Sequence, residues 1–165
     1  MSQTGIREDF IIGELNNMEI KFKLIPSPGG YCPGVPEYES AGAAGMDLRA
    51  CIDEPVTIEP GQTRLIPAGI ALEIPEGYAG FMFGRSGLGV KHGITMANGV
   101  GVIDSDYRGQ LHSGLINRSD ESFTVLPGDR IAQLVIMPVL HVALVSGELS
   151  DTERGTSGFG STGRA

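Results

Sequence analysis

Apolar and β-branched residues occur in short runs along this chain, and most runs alternate with polar residues. Turn-forming triplets separate them, as at Glu59-Pro60-Gly61, Pro75-Glu76-Gly77 and Pro127-Gly128-Asp129. This pattern predicts strands at Glu19–Ile25, Arg64–Ile74, Ala79–Phe83, Leu111–Ile116, Phe123–Leu126 and Arg130–Pro138. Many short strands at such spacing are typical of an all-β sandwich or barrel.

The pattern also predicts one short helix, at Ser86–His92, with Ser86 capping its first amide groups. A first strand begins near Met18, which makes residues 1–17 an N-terminal extension. This extension is either a disordered tail or one to two weakly amphipathic helical turns. Residues 151–165 contain four glycines and no apolar periodicity, so we expect a β-rich core over 18–150 and a flexible arm after it.

Composition narrows the class of protein. A chain of 165 residues with 41% hydrophobic and 19% charged residues fits one compact domain. A net charge of −8 argues against a duplex nucleic acid partner, which requires a basic face. The apolar runs are too short to span a bilayer, and the sequence does not open like a secretory signal. We therefore expect a cytoplasmic protein with no membrane partner. The two cysteines and three histidines are not spaced as zinc ligands. We expect the two cysteines to be free thiols.

Five segments are richer in Gly, Asp, Arg and Ser than a packed sheet requires. In 41–50, Asp47 stands just inside a strand, where a carboxylate can organise a basic side chain or metal-bound water. In 84–89, the backbone amides and the Ser86 hydroxyl are suited to phosphate oxygens, and Arg85 adds a forked cation. Ordinary turns contain the same residue types, so neither segment indicates a function alone.

In the third segment, 96–111, Asn98-Gly99 predicts the start of a β-hairpin. It then places two acids, a tyrosine and an arginine between Asp104 and Arg108. A solvated turn is the alternative, although flanking strand residues would hold an acid rigidly at a strand end.

The fourth segment, 128–135, carries Gln133 as an amide in an apolar run, which a half-buried strand also explains. The fifth, 154–163, combines an arginine, hydroxyls, glycines and one phenylalanine. Such an arm could fold over a phosphate chain and stack on a base, and a disordered tail is the alternative.

In this order and spacing, the five segments resemble the motifs of the trimeric dUTPase family. They read Ala44–Leu48, Arg85–Leu88, Gly101–Gly109, Gly128–Gln133 and Arg154–Gly163, and the resemblance covers roughly residues 19–163. It implies an all-β, jelly-roll-like (β-clip) subunit of a homotrimer, with one short helix and a flexible C-terminal arm. It also implies hydrolysis of dUTP to dUMP and pyrophosphate with Mg²⁺, which limits uracil in DNA and supplies dUMP for thymidylate synthesis.

The resemblance also assigns roles on the phosphate side of a site. Asp104 matches the general base that activates water for attack on the α-phosphorus. Mg²⁺ is held mainly by the substrate phosphates, and Asp47 and Gln133 reach phosphates or metal-bound water without binding the metal directly. Ser86 matches the phosphate-binding serine, assisted by Arg85 and by nearby amides such as that of Gly87.

On the nucleoside side, the resemblance implies that backbone groups of the third motif, including Val102, pair with uracil together with Asn98. Tyr107 matches the tyrosine that packs under deoxyribose. From the arm, Phe159 stacks over the base, and the remaining binding residues are Arg154, Gly160, Ser161 and Thr162. Each site takes motifs one, two and four from one chain, the third from another and the fifth from the last.

Three positions depart from the family pattern: Gly84 stands where proline is common, Met46 replaces a frequent tyrosine or leucine, and Ser157 replaces a common glycine in the arm. Three rival interpretations remain from the sequence. A dCTP deaminase shares the fold but would need a catalytic glutamate in the site. A nucleotide-controlled regulatory trimer is a second, and a purely structural β-trimer is a third.

Overall fold

Short antiparallel strands dominate residues 18–156, the part of the chain that this computed structural model describes. Those residues form eleven strands and one helix: β1 (Lys21–Leu24), β2 (Met46–Arg49), β3 (Val56–Ile58), β4 (Thr63–Pro67), β5 (Ile70–Glu73), β6 (Tyr78–Gly84), α1 (Ser86–His92), β7 (Ile94–Met96), β8 (Gly101–Ile103), β9 (His112–Asn117), β10 (Phe123–Val125) and β11 (Arg130–Pro138). The predicted all-β class with one short helix is confirmed.

The strands form four small antiparallel sheets around one core. Strands β2, β11, β6 and β8 form the largest sheet in that order, and β4, β9 and β7 form the next. Two-stranded sheets pair β1 with β5 and β3 with β10. The four sheets share a single hydrophobic core, to which they contribute Leu48, Ile58, Ile66, Ile70, Met82, Leu115, Val125 and Leu134 among others.

Strand boundaries agree with the sequence pattern where turn residues flank the run. Both α1 and β11 begin and end at the predicted residues. The predicted strand Arg64–Ile74 is wrong as one element, because it breaks into β4 and β5. Gly69, with φ of +72°, lies in the break, and the two strands then join different sheets.

The prediction that Ser86 caps α1 is also wrong. The residue at the N-cap is Arg85, whose φ of −83° and ψ of 132° continue the extended conformation of β6. Ser86 is already helical, and no side chain bonds to the amides of the first turn. The helix has only seven residues, and no helix within 18–156 is long and apolar enough to cross a membrane.

Both ends of the sequence extend past what can be described. The N-terminal extension, 1–17, and residues 157–165 of the arm lie outside the described residues. Strand β11 ends at Pro138, and residues 139–156 contain no helix or strand.

The two thiols are free, as expected from the sequence. Cys51 is buried, and its Sγ lies 3.3 Å from the carbonyl oxygen of Tyr31. Burial raises the pKa of this thiol, because it disfavours the charged thiolate. Cys51 therefore packs as a small apolar side chain.

Asp53 stabilises the loop that follows β1 through hydrogen bonds. Its carboxylate accepts hydrogen bonds from the Ser27 hydroxyl and, at 2.7 Å, from the Gly29 amide. The Ser27 bond and then the Gly29 bond lower the pKa of Asp53 below its ordinary value of 3.8. A lowered folded-state pKa contributes stability above the unfolded pKa, and that stability disappears as pH falls through the folded pKa.

We expect Asp53→Asn to lower the melting temperature modestly at pH 7 and to have no effect below the folded-state pKa of Asp53. The reason is that the wild-type carboxylate is itself protonated there and loses its advantage. Thermal melting between pH 2 and pH 7 measures this, with the exposed Asp120 changed to asparagine as a control. A difference between wild type and Asp53→Asn that does not change with pH would contradict the expectation.

Candidate active site

Asp47, Gln133 and Arg85 are brought to one face of the largest sheet. Asp47 on β2 lies opposite Gln133 on β11, and Gln133 lies opposite Phe83 on β6. Directly opposed residues in antiparallel strands point to the same side, and Arg85 follows Phe83 by two positions in extended conformation. Three of the residues assigned from the sequence therefore share one surface.

Asp47 is the buried centre of an ion-pair cluster on this face. Only 5% of its side chain is exposed. Its Oδ1 accepts from Arg85 Nε at 3.0 Å, and its Oδ2 accepts from Arg85 Nη2 at 3.3 Å. This is the forked pairing of a guanidinium with a carboxylate. It orients the Arg85 side chain at the point where β6 becomes α1.

Arg130 also binds Asp47, although the sequence did not predict a role for it. Its Nη1 lies 3.2 Å from Asp47 Oδ2 and 3.2 Å from Glu39 Oε1. Simple alternation along β11 would put Arg130 on the face opposite Gln133. A register shift between Arg130 and Ala132 restores it to the Asp47 face. Ile131 and Ala132 are neighbours in sequence and both buried, as expected where a bulge interrupts the alternation.

The third segment forms a separate feature at the end of β8. Asp104 directly follows the strand and starts a turn in which its carbonyl oxygen accepts from the Tyr107 amide at 3.2 Å. Its side chain is exposed, and within residues 18–156 nothing donates a hydrogen bond to the carboxylate. It borders a cleft of about 820 Å³ that Tyr78, Arg108 and His141 also line.

Tyr107 is held in place by its own loop. Its hydroxyl donates to the carbonyl oxygen of Gln110 at 3.0 Å, and 44% of the residue is exposed. Its ring covers Gly109 so closely that a Cβ there would lie 2.3 Å from the Tyr107 hydroxyl oxygen. Glycine is therefore required at 109 for Tyr107 to keep this position.

The hairpin predicted at Asn98-Gly99 is wrong in one respect. A tight turn is present, with the Gly99 amide donating to the Met96 carbonyl at 3.1 Å. The flanking strands do not pair, because β7 joins β9 and β8 joins β6. The turn instead connects two sheets, and it leaves Asn98 and Val102 exposed.

Within one chain, Asp104 lies far from the Asp47–Arg85 pair. Ile103 on β8 is opposite Gly80 on β6, which places Asp104 beside Ala79 at the start of β6. Arg85 follows the other end of the same strand. At about 3.3 Å per residue along β6, roughly 20 Å separate the position of Asp104 from that of Arg85. A single subunit thus leaves the candidate base and the candidate phosphate-binding group apart.

The remaining assigned residues lie in α1 and towards the C-terminal end of the chain. Ser86 and Gly87 are exposed in the first turn of α1, next to Arg85. Arg154 lies in an exposed turn in which the Gly155 amide donates to the Thr152 carbonyl at 3.0 Å. The predictions for Phe159, Gly160, Ser161 and Thr162 fall outside the described residues.

Comparison with known sequences identifies the family. The sequence profile described as dUTPase matches residues 34–163, most of the chain. The chain belongs to the dUTPase family. Similar proteins include the deoxyuridine 5'-triphosphate nucleotidohydrolase of Idiomarina loihiensis, 50% identical over 149 residues, which cover 89% of this chain and 99% of that protein. The enzyme of the same name from Janthinobacterium sp. is 53% identical over 132 residues, which cover 79% and 89%.

Solved dUTPase structures share the fold. The dUTPase of Staphylococcus bacteriophage 80alpha with dUpNHpp superposes with a TM-score of 0.77 at 29% identity, covering 89% of this chain and 99% of that one. A variant dUTPase from phage phi11 of S. aureus, described as coordinating a structural Mg(II) ion, gives 0.70 at 25% identity, covering 82% and 100%. The dUTPase fold expected from the motifs is thereby confirmed.

Residues 18–156 include carboxylate and amide oxygens near the candidate site, but these oxygens do not form a complete metal-binding site. Among residues 18–156, no group of three or more His, Cys, Asp and Glu side chains is arranged to hold an ion. Both oxygens of Asp47 are already paired with arginines. Mg²⁺ prefers oxygen ligands and usually keeps several waters, so these residues fit a metal that arrives with phosphates and is reached through water.

Proposed function

We propose that this dUTPase-family protein hydrolyses dUTP to dUMP and pyrophosphate. The observation that carries this is the match of residues 34–163 to the dUTPase profile, together with relatives about half identical that are named for the same activity. The five motifs supply a base, phosphate-binding groups and an aromatic residue for the nucleoside. A structural trimer would need none of these.

Asp104 is the general base of the proposed reaction. It accepts a proton from the water that attacks the α-phosphorus, and pyrophosphate leaves from the opposite side. The Asp104 carboxylate is exposed, accepts no hydrogen bond from residues 18–156 and follows directly on β8, and these properties suit the task. It can bind water directly and does not need to break an existing bond first.

Arg85, Ser86 and Gly87 bind the phosphates, and Asp47 and Gln133 assist from the same face. Asp47 holds the Arg85 guanidinium in a fixed orientation, which lowers the cost of ordering it when a phosphate binds. Asp47 and Gln133 would contact a phosphate-bound Mg²⁺ through water, and the metal would supply positive charge to offset that of the leaving pyrophosphate.

Uracil and deoxyribose are recognised by the third motif. Asn98 and backbone groups near Val102 pair with the uracil edge, and the tight turn leaves no room for the methyl group of thymine. Tyr107 packs under deoxyribose and excludes the ribose 2′-hydroxyl. Arg154, Phe159, Gly160, Ser161 and Thr162 of the arm close over the base and outer phosphates.

The working unit is a homotrimer in which each site is shared between chains. Support comes from the roughly 20 Å between the levels of Asp104 and Arg85 in one subunit. A neighbouring subunit can supply the missing third motif. Leu140, Leu144 and Val145 are 89–95% exposed, and exposed apolar residues of this kind are typical of surfaces that another chain covers.

We expect pyrophosphate release from dUTP to exceed that from dTTP, dCTP or UTP by on the order of 100-fold or more. EDTA should suppress it, because the phosphates then lose their metal. The assay incubates the purified protein with each nucleotide and Mg²⁺ and measures both pyrophosphate and ammonia. Equal turnover of dTTP would contradict uracil recognition by the turn at Asn98. Ammonia from dCTP would instead identify a deaminase.

A further inference from the structure

We propose that Glu39 is a positioning residue for the phosphate-binding side of the active site. This inference rests on the proposed function. Glu39 lies in the loop before β2 and belongs to none of the five motifs. Its Oε1 forms an ion pair with Arg130, at 3.2 Å from Nη1, and accepts a hydrogen bond from Arg49 Nη2 at 3.4 Å.

The path from Glu39 to the site runs through a single nitrogen atom. Arg130 Nη1 lies between Glu39 Oε1 and Asp47 Oδ2, at 3.2 Å from each. Asp47 in turn orients Arg85 through both of its oxygens. Because the same nitrogen is close to both carboxylates, the Glu39 charge restricts the positions that the Arg130 guanidinium can take beside Asp47. Without Glu39, Arg130 has more rotational freedom, and its hydrogen bond to Asp47 is less well held.

The backbone also holds Glu39 close to this cluster. The Asp47 amide donates to the carbonyl oxygen of Glu37 at 3.2 Å, which ties the loop to the first residues of β2. Arg49 links Glu39 to the turn before β11, because its Nη1 donates to the Gly128 carbonyl at 3.3 Å. The Glu39 carboxylate is therefore held from β2 and from the entry to β11.

The solvent exposure of these side chains determines how large an effect the loss of Glu39 can have. The exposed fraction of the side chains rises from 5% at Asp47 and 22% at Arg85 to 38% at Arg130 and 52% at Glu39. An ion pair of which half is in water contributes little because solvent screens it. We therefore expect a change of about two- to fivefold, the range for such pairs.

Removing the Glu39 carboxylate could act through its charge or through its positioning of Arg130, and the two effects change KM and kcat differently. Its loss adds one net positive charge beside the proposed triphosphate site. Charge alone would tighten binding of an anionic substrate, which lowers KM and leaves kcat unchanged. Loss of positioning disturbs the arginine that must meet the phosphates in the transition state, which lowers kcat.

The test compares Glu39→Gln with Glu37→Gln, an exposed glutamate of the same loop. For dUTP we expect Glu39→Gln to lower kcat about two- to fivefold with KM no higher than wild type and an unchanged melting temperature. Glu37→Gln should keep wild-type kinetics. In a background that carries Arg130→Gln, adding Glu39→Gln should have little further effect, because the path to Asp47 is already broken.

Three results would overturn the role of Glu39. These are an unchanged kcat in Glu39→Gln, an equal loss in Glu37→Gln, or full multiplication of the Glu39 and Arg130 effects in the double variant. If the wild type hydrolyses dUTP, any of these three results rejects the role of Glu39 and leaves the proposed function unaffected. A wild type that does not hydrolyse dUTP would overturn both.

Discussion

Replacing Asp104 by asparagine is expected to lower kcat for dUTP by about 10²- to 10⁴-fold, the usual cost of losing a positioned general base. The amide has the shape of the carboxylate but does not accept the proton of the attacking water. The fold should tolerate the change, because Asp104 is exposed and no described group donates to its carboxylate. Steady-state pyrophosphate release measures the change in kcat, and thermal melting tests whether the fold is unchanged.

Asp106 provides the matched control, since it is an exposed acid in the same turn. Asp106→Asn removes the same charge from the same loop and should retain turnover close to that of the wild type. If both variants lose activity equally, the loop requires negative charge in general. If Asp104→Asn retains near wild-type turnover, Asp104 is not the base.

Local sequence signals were sufficient for much of the fold. Turn residues flank the runs that became α1 and β11, so their bounds could be predicted to the residue. The break at Gly69 could not, because an apolar run on either side of one glycine looks the same whether the chain continues in one sheet or moves to another. The same limit explains the turn at Asn98-Gly99, which connects strands of two different sheets.

The candidate site was predictable in its residue types and less so in its contacts. Asp47, Arg85 and Gln133 could be selected from motif chemistry, and the register of β2, β11 and β6 brings them together. Arg130 was missed because its direction depends on a bulge that reverses the alternation of β11. Glu39 was missed because its partner is distant in sequence, and such a contact leaves no local pattern.

Two defective variants can test the proposal that each active site is assembled between chains. One carries Asp104→Asn and the other Arg85→Gln, at opposite ends of β6. Each should be nearly inactive alone, because every site lacks either the base or the guanidinium. The two proteins are then co-expressed or refolded together in equal amounts, and mass spectrometry of the intact assembly reports the fraction of mixed trimers.

In a closed ring of three, random assembly makes about three-quarters of the trimers mixed. Each mixed trimer contains one junction at which a chain with Asp104 meets a chain with Arg85 in the required order. One site in three of those trimers is therefore intact, and activity should recover to about a quarter of wild type. If mixed trimers are present but turnover stays at the level of the separate variants, Asp104 and Arg85 act within one chain, and the shared site is refuted.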